Sequence, residues 1–196
     1  MLYRLLVSGE WACLPRLEFV TDVVSYETMS PWGARGILES IHWRPAIRWD
    51  VEKTAVLKPV ELVQHPAGGP PGSRTPQVLA LKDVAYLIEA RFALTDLAGE
   101  RDSMAAHRRM FEDRVRKNRP FRQPYFGLRE CPASFRLLAD DEAAGDCPES
   151  LRGERNWGWI VYDHDLDREP PTRYFRAASV DGVIGVPTRE AALLCG

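Results

Sequence analysis

Four histidines and a run of arginines are the side chains here best suited to proton and phosphate chemistry. Cleavage of RNA without a metal needs a base for the 2′-hydroxyl proton, an acid for the leaving 5′-oxygen and a cation at the phosphorane. Histidine suits the first two roles, because its ordinary pKa lies near neutrality. Arginine and lysine suit the third. His42 lies near the end of an amphipathic stretch, on the flank of its apolar stripe. His107 lies between Met104 and Phe111, beside Arg108 and Arg109. Both positions also suit histidines that merely pack on a helix flank. His65 borders a Pro/Gly-rich segment and is expected in solvent. His164, in Asp163-His164-Asp165-Leu166-Asp167, could ligate a metal, but its neighbours alternate along an extended segment and no partner motif appears.

Charge points the same way. The net charge is only −2, yet residues 101–129 hold nine basic side chains against three acidic ones, while residues 140–170 hold ten acids against three arginines. A basic segment offset by an acidic one leaves a local footprint for phosphate that the average conceals. A solvated helix face would give the same composition. The segment Phe121–Arg129 mixes Phe121, Tyr125 and Phe126 with Arg122 and Arg129 around Gly127. Aromatics stack on unpaired bases, arginines hold phosphate, and glycine permits close backbone approach. An ordinary loop with core aromatics is the competing reading.

Several function classes lack support. There is no GxGxxG, P-loop, GxSxG or HExxH pattern. Cys13, Cys131, Cys147 and Cys195 are widely spaced and form no CxxC pair, so no zinc ribbon or thioredoxin-like motif is expected. No apolar run approaches membrane-spanning length and the N-terminus lacks the pattern of a signal peptide, so a cytoplasmic location with reduced cysteines is expected.

The elements that must position these residues are legible as periodicity. Tyr3, Leu5 and Val7 alternate with Arg4, Leu6 and Ser8 as a first strand. Ser30-Pro31 starts a helix, with Ala34, Ile37, Leu38 and Ile41 along one face, and Pro45 stops it. Ile47, Trp49 and Val51 alternate as a strand, and Val56–Val63 continues extended, with Pro59 marking an edge or bulge. Residues 66–76 form a flexible loop. Val84 to Leu94 alternates as a long strand. Asp102–Lys117 is a second helix, with Met104, the stem of Arg108, Phe111 and Val115 along one side. An irregular acidic stretch at 139–155 precedes short strands at Trp157–Tyr162, Arg173–Ala177 and Val183–Val186. The order strand, helix, strand, strand, helix, then strands implies an α+β, ferredoxin-like (RRM-like) fold. A ferredoxin-like RNA-binding domain is expected at 1–134, and a small antiparallel β extension at 135–196.

Ordered blocks carry a family resemblance: Gly9–Cys13, Ser25-Tyr26, Pro31 through Trp49, Val56–Pro59, Leu81–Val84 and, most specifically, Gln123-Pro124-Tyr125-Phe126-Gly127-Leu128-Arg129-Glu130-Cys131-Pro132-Ala133. In these the chain resembles the subtype I-C (Dvulg) branch of the fifth family of CRISPR-associated proteins (Cas5), of the RAMP superfamily. The resemblance implies cleavage of precursor CRISPR RNA at the 3′ base of the repeat hairpin, without metal or cofactor. It also implies retention on the 5′ handle within an interference complex containing Cas7-type backbone and Cas8-type large subunits, which meets target DNA. The family's proposed site has a tyrosine late in the first helix and a lysine-histidine pair in the second. Here the tyrosine position carries His42, the histidine position His107, and the lysine position Ala106. The implied roles are His42 as base, His107 as acid and Arg108 as the phosphorane's cation. RNA contacts are expected from Arg35, Arg109, Lys117, Arg122, Tyr125, Phe126, Gly127 and Arg129, and no metal site is expected. Two alternatives remain: a non-catalytic subunit that caps the 5′ handle, suggested by Ala106, and a metal-dependent nuclease using Asp163, His164 and Asp165.

Overall fold

The structure is a computed structural model, described for residues 1–19, 23–66, 77–167, 169–188 and 191–194. The elements in chain order are β1 (Tyr3–Ala12), α1 (Pro31–Ile41), β2 (Ile47–Val56), β3 (Leu62–Pro66), β4 (Gln77–Leu94), α2 (Met104–Arg116), β5 (Ser134–Leu137), β6 (Glu154–His164), β7 (Thr172–Val180), β8 (Val183–Gly185) and β9 (Leu193–Leu194). The strand order β5-β1-β4-β2 of the first half, antiparallel at every junction, is the arrangement of a ferredoxin-like unit with α1 and α2 as its helices.

Each element follows from local chemistry. The Ser30 hydroxyl accepts from the Gly33 N–H at 3.1 Å and Pro31 takes the first helical position, so α1 begins where the sequence predicts. Its apolar stripe is buried in full: Ala34, Ile37, Leu38 and Ile41. The helix ends at Ile41, and His42 is already extended at φ −147°, short of the turn that Pro45 would forbid. Ser103 caps α2 by accepting from the Ala106 N–H at 3.2 Å. The buried stripe of α2 is His107, Phe111 and Val115 rather than the side expected through Met104, which is exposed. Tyr3, Trp49, Phe92 and Phe111 meet as an aromatic cluster under the two helices, with centroids 4.8–5.8 Å apart.

Pro59 lies in neither β2 nor β3, so the extended run expected at 56–63 breaks into two strands that pair with different parts of β4. The loop expected at 66–76 lies outside the described residues except for Pro66, whose backbone still pairs with Gln77. The three C-terminal strands occur as β6, β7 and β8, longer than predicted for the first two. They do not form a separate sheet. Lys53–Ala55 of β2 pair with Val183–Gly185 of β8, which makes the sheet continuous through β7 to β6. The division expected at 134/135 falls at the start of β5, which pairs with β1. From the far end of this sheet β6 reaches back to α1, where Arg35 and Asp163 meet at 2.6 Å.

Candidate active site

The end of α1 and the first turn of α2 bring His42 and His107 together. His42 Nε2 and His107 Nδ1 are 3.1 Å apart, and His107 Nε2 lies 3.0 Å from Asp102 Oδ1. Three forces fix this geometry. His107 shares the buried stripe of α2 with Phe111, so it must face the core. The Trp49 indole N–H donates to the His42 carbonyl at 2.9 Å, and the His42 N–H returns to Leu38, so the backbone at His42 is held from both sides. Asp102 precedes the cap of α2 and accepts from the Gly99 N–H at 3.0 Å. That backbone bond, with a smaller contribution from His107, holds its carboxyl below the ordinary range.

The three groups define a proton order. A carboxylate only accepts, so a neutral His107 donates from Nε2 to Asp102 and is left with an acceptor at Nδ1. His42 Nε2 then donates to it, and His42 Nδ1 is left unprotonated. That nitrogen has no hydrogen-bond partner among the described residues. A proton arriving there can be matched by transfer of the Nε2 proton to His107, so that the positive charge settles beside Asp102. Burial, then the charges of Arg114, His107 and Arg44, push the His42 pKa down to about 4. His42 is therefore neutral at physiological pH. Both rings are deep: His42 is 0% exposed and His107 1%.

The surroundings are basic and aromatic. Arg114, one helical stripe along from His107, donates to the Ile41 carbonyl at 2.9 Å and lies over the Phe121 ring at 5.7 Å. Arg44 is exposed, as are Trp43 and Phe121. Arg108 is instead turned toward the Tyr3 hydroxyl, whose pKa burial pushes up to about 12 with help from Glu112 and against Arg108. The cations beside the histidines are thus Arg44 and Arg114. Sequence reasoning also missed Asp102. Its signal was a carboxylate five residues before His107 at a helix start.

The other expected residues divide by depth. Arg109, Arg122 and Arg129 are exposed and make no ion pair among the described residues. Lys117 is exposed and pairs with Asp113 at 2.7 Å. Tyr125 is exposed at the mouth of a cavity. Phe126, expected to face RNA, is fully buried, with its ring 6.1 Å from Tyr86 and against Gly9. It holds the loop rather than a base. Gly127, at φ +80°, has no space for a side chain: a Cβ would lie 1.6 Å from the Cys13 carbonyl oxygen. Arg35 is half-buried in its pair with Asp163. The His164 ring bonds Thr172 at 2.8 Å, and among the described residues no three His, Cys, Asp or Glu side chains gather as a metal set.

This geometry can be set against known proteins. Residues 2–187 match the family model Cas_Cas5d, described as CRISPR-associated protein (Cas_Cas5). The chain belongs to the Cas5d family. It is 36% identical to the CRISPR pre-crRNA endoribonuclease Cas5d of Mannheimia succiniciproducens, with 94% of each chain covered. It is 38% identical to the protein of the same name from Thermus thermophilus, over 66% of this chain and 61% of the relative. Two solved structures share the fold. One is a functionally uncharacterized protein from Streptococcus mutans, with a TM-score of 0.78 at 16% identity, covering 99% of this chain and 96% of that one. The other is a CRISPR-associated protein, with a TM-score of 0.78 at 21% identity, covering 99% and 95%. The Cas5d match spans the ferredoxin-like strands, both helices and the strands up to β8.

Proposed function

We propose that the chain is the RNA-binding and RNA-cutting subunit of a CRISPR complex. It binds the repeat hairpin of precursor CRISPR RNA, cuts at the hairpin base by a metal-independent 2′-hydroxyl mechanism, and stays on the 5′ handle. Its neighbours in that complex are Cas7-type backbone and Cas8-type large subunits, it meets target DNA through the complex, and it works in the cytoplasm. Among the described residues no helix is long and apolar enough to cross a membrane. The naming of two relatives as pre-crRNA endoribonucleases supports the reading. The single observation that carries it is the chain Asp102–His107–His42, ending in an unpartnered ring nitrogen.

In this mechanism His42 Nδ1 takes the 2′-hydroxyl proton and His42 Nε2 passes its own to His107. Asp102 stabilises the imidazolium so formed. The 2′-oxygen attacks phosphorus and the bond to the 5′-oxygen breaks. The leaving oxygen is protonated from water, and the hydroxide so formed takes up the proton held by the relay, giving a 2′,3′-cyclic phosphate and a 5′-hydroxyl with both histidines neutral again. Arg44 and Arg114 face the phosphorane. RNA that engages Arg114 and Phe121 draws them from the Ile41 carbonyl and opens the way to His42. His107 acts as the relay rather than as the direct acid, since both its nitrogens are engaged.

The test is incubation with labelled repeat RNA in excess chelator, beside the same RNA carrying a 2′-deoxy sugar at the cut site. Cleavage of the ribose substrate alone supports the mechanism, and cleavage of both, or only with added divalent ion, overturns it. The burial of both histidines favours a second reading, a non-catalytic subunit that caps the 5′ handle. Tight binding with no cleavage would establish that one.

A further inference from the structure

Between the middle of α1, the end of β6 and the loop at Tyr125–Gly127 lies a cavity of about 510 Å³. That size suits a small-molecule-sized group such as one nucleotide. Its wall carries Trp32, Arg35, Glu39, Tyr125, Asp163 and Asp165. The cleavage mechanism uses none of them.

The wall's chemistry selects the ligand. Both arginines of the wall are already paired, Arg35 with Asp163 at 2.6 Å and Arg48 with Asp50 at 3.0 Å. Glu39, Asp163 and Asp165 make the interior hostile to phosphate. Glu39 is half-buried and has no hydrogen-bond or ion-pair partner among the described residues. Burial raises its pKa, with Arg35 opposing. A carboxylate withdrawn from water without a partner is unfavourable unless a ligand completes it. Two N–H donors side by side fit a carboxylate's two oxygens. Guanine is the RNA base whose Watson–Crick edge presents such a pair, N1–H next to the N2 amino group.

Aromatic groups are placed for such a base. Trp32 packs edge-on to His164 at 5.6 Å, and Tyr125 is 39% exposed at the mouth. Arg122, exposed and close enough to act on Glu39, can take the phosphate outside. Glu39 precedes His42 by three residues, in the last turn of α1.

We propose that this cavity binds one unpaired guanine base of the RNA, with the Glu39 carboxylate accepting from N1–H and the N2 amino group. The proposal rests on the RNA-binding part of the function above and not on cleavage. The probes are labelled oligouridines of eight nucleotides carrying a central guanine, inosine or adenine, titrated by fluorescence anisotropy. The wild-type protein is expected to bind the guanine probe about tenfold tighter than the other two. Glu39→Ala should bring all three within about twofold of each other, with affinity for plain oligouridine and the melting temperature unchanged. Glu39→Gln, which keeps one acceptor, should fall between. Equal wild-type affinity for the three probes, or a guanine preference that survives Glu39→Ala, would overturn it. A guanine preference in a protein that cuts no RNA supports the pocket while sinking the nuclease reading. Failure to bind any probe or the hairpin sinks both.

Discussion

Along α1, two polar sites three residues apart are built in opposite ways. At its end, His42 is fully enclosed, its backbone fixed by Trp49 and Leu38 and its ring by His107. In its last turn, Glu39 borders an open cavity with a carboxylate that has no hydrogen-bond or ion-pair partner among the described residues. Burial acts on both, but with opposite sign. It drives the imidazole pKa down to about 4 and the carboxyl pKa up, because each group loses the water that stabilised its charged form. The first site is pre-organised for moving a proton, with its partners set before any ligand arrives. The second is incomplete until a ligand arrives. On the proposed reading, α1 and the residue that follows it carry a site for chemistry and a site for recognition three residues apart.

The comparison can be broken at several places. The largest effect is expected from His107→Ala, which removes the relay while leaving the exposed arginines in place. Cleavage should fall by about 10²–10⁴-fold, with hairpin affinity within about threefold by gel shift. A comparable loss of affinity would mean that the pair supports the fold instead. Asp102→Asn keeps the shape but removes the charge that receives the imidazolium. We expect roughly a 10- to 100-fold loss of cleavage, since this residue acts through His107, together with a shift in the pH–rate profile that a purely structural change would not produce.

The third prediction concerns stability. The folded-state pKa of His42, about 4, lies below its ordinary 6.5, so the unfolded chain binds more protons between those values. Stability is then complete above about pH 6.5 and falls as pH drops toward about 4, by on the order of 3 kcal/mol. Denaturant titrations across this window should show a shallower fall for His42→Phe than for wild type. Equal slopes would count against a neutral, buried His42. The smallest effect is expected from Arg109→Ala and Arg129→Ala. If each touches one phosphate, each should weaken hairpin binding about threefold and reduce the salt slope by about 0.7 to 0.9, with cleavage of bound RNA unaltered.

Much of this arrangement is legible as local pattern. Ser30-Pro31 marks the start of α1, and the alternation from Val84 to Phe92 marks the buried side of β4. Both signals depend on residues a few positions apart. What the sequence hides depends on distance or depth. Nothing near Val183 announces that β8 will pair with β2 and join two sheets into one. Phe126 and Tyr125 are adjacent aromatics in one loop, yet one is core and the other surface, because backbone bonds from Cys13 N–H to the Phe126 carbonyl and from Phe126 N–H to the Cys131 carbonyl pin Phe126 against the body of the protein. On α2 a step of one residue turns the side chain about 100°, enough to send Arg108 to Tyr3 while Arg114 returns to the histidines. Asp102 was legible as part of a helix start, but not as the partner of a histidine on the next turn.

The most direct test of the relay is single-turnover cleavage of the labelled repeat hairpin by His42→Ala in excess chelator, with binding measured on the same samples. A rate reduced by at least about 10²-fold at unchanged affinity, with a 2′,3′-cyclic phosphate on the wild-type product, is the predicted result. Wild-type cleavage rates in the variant would contradict the assignment of His42 as the base.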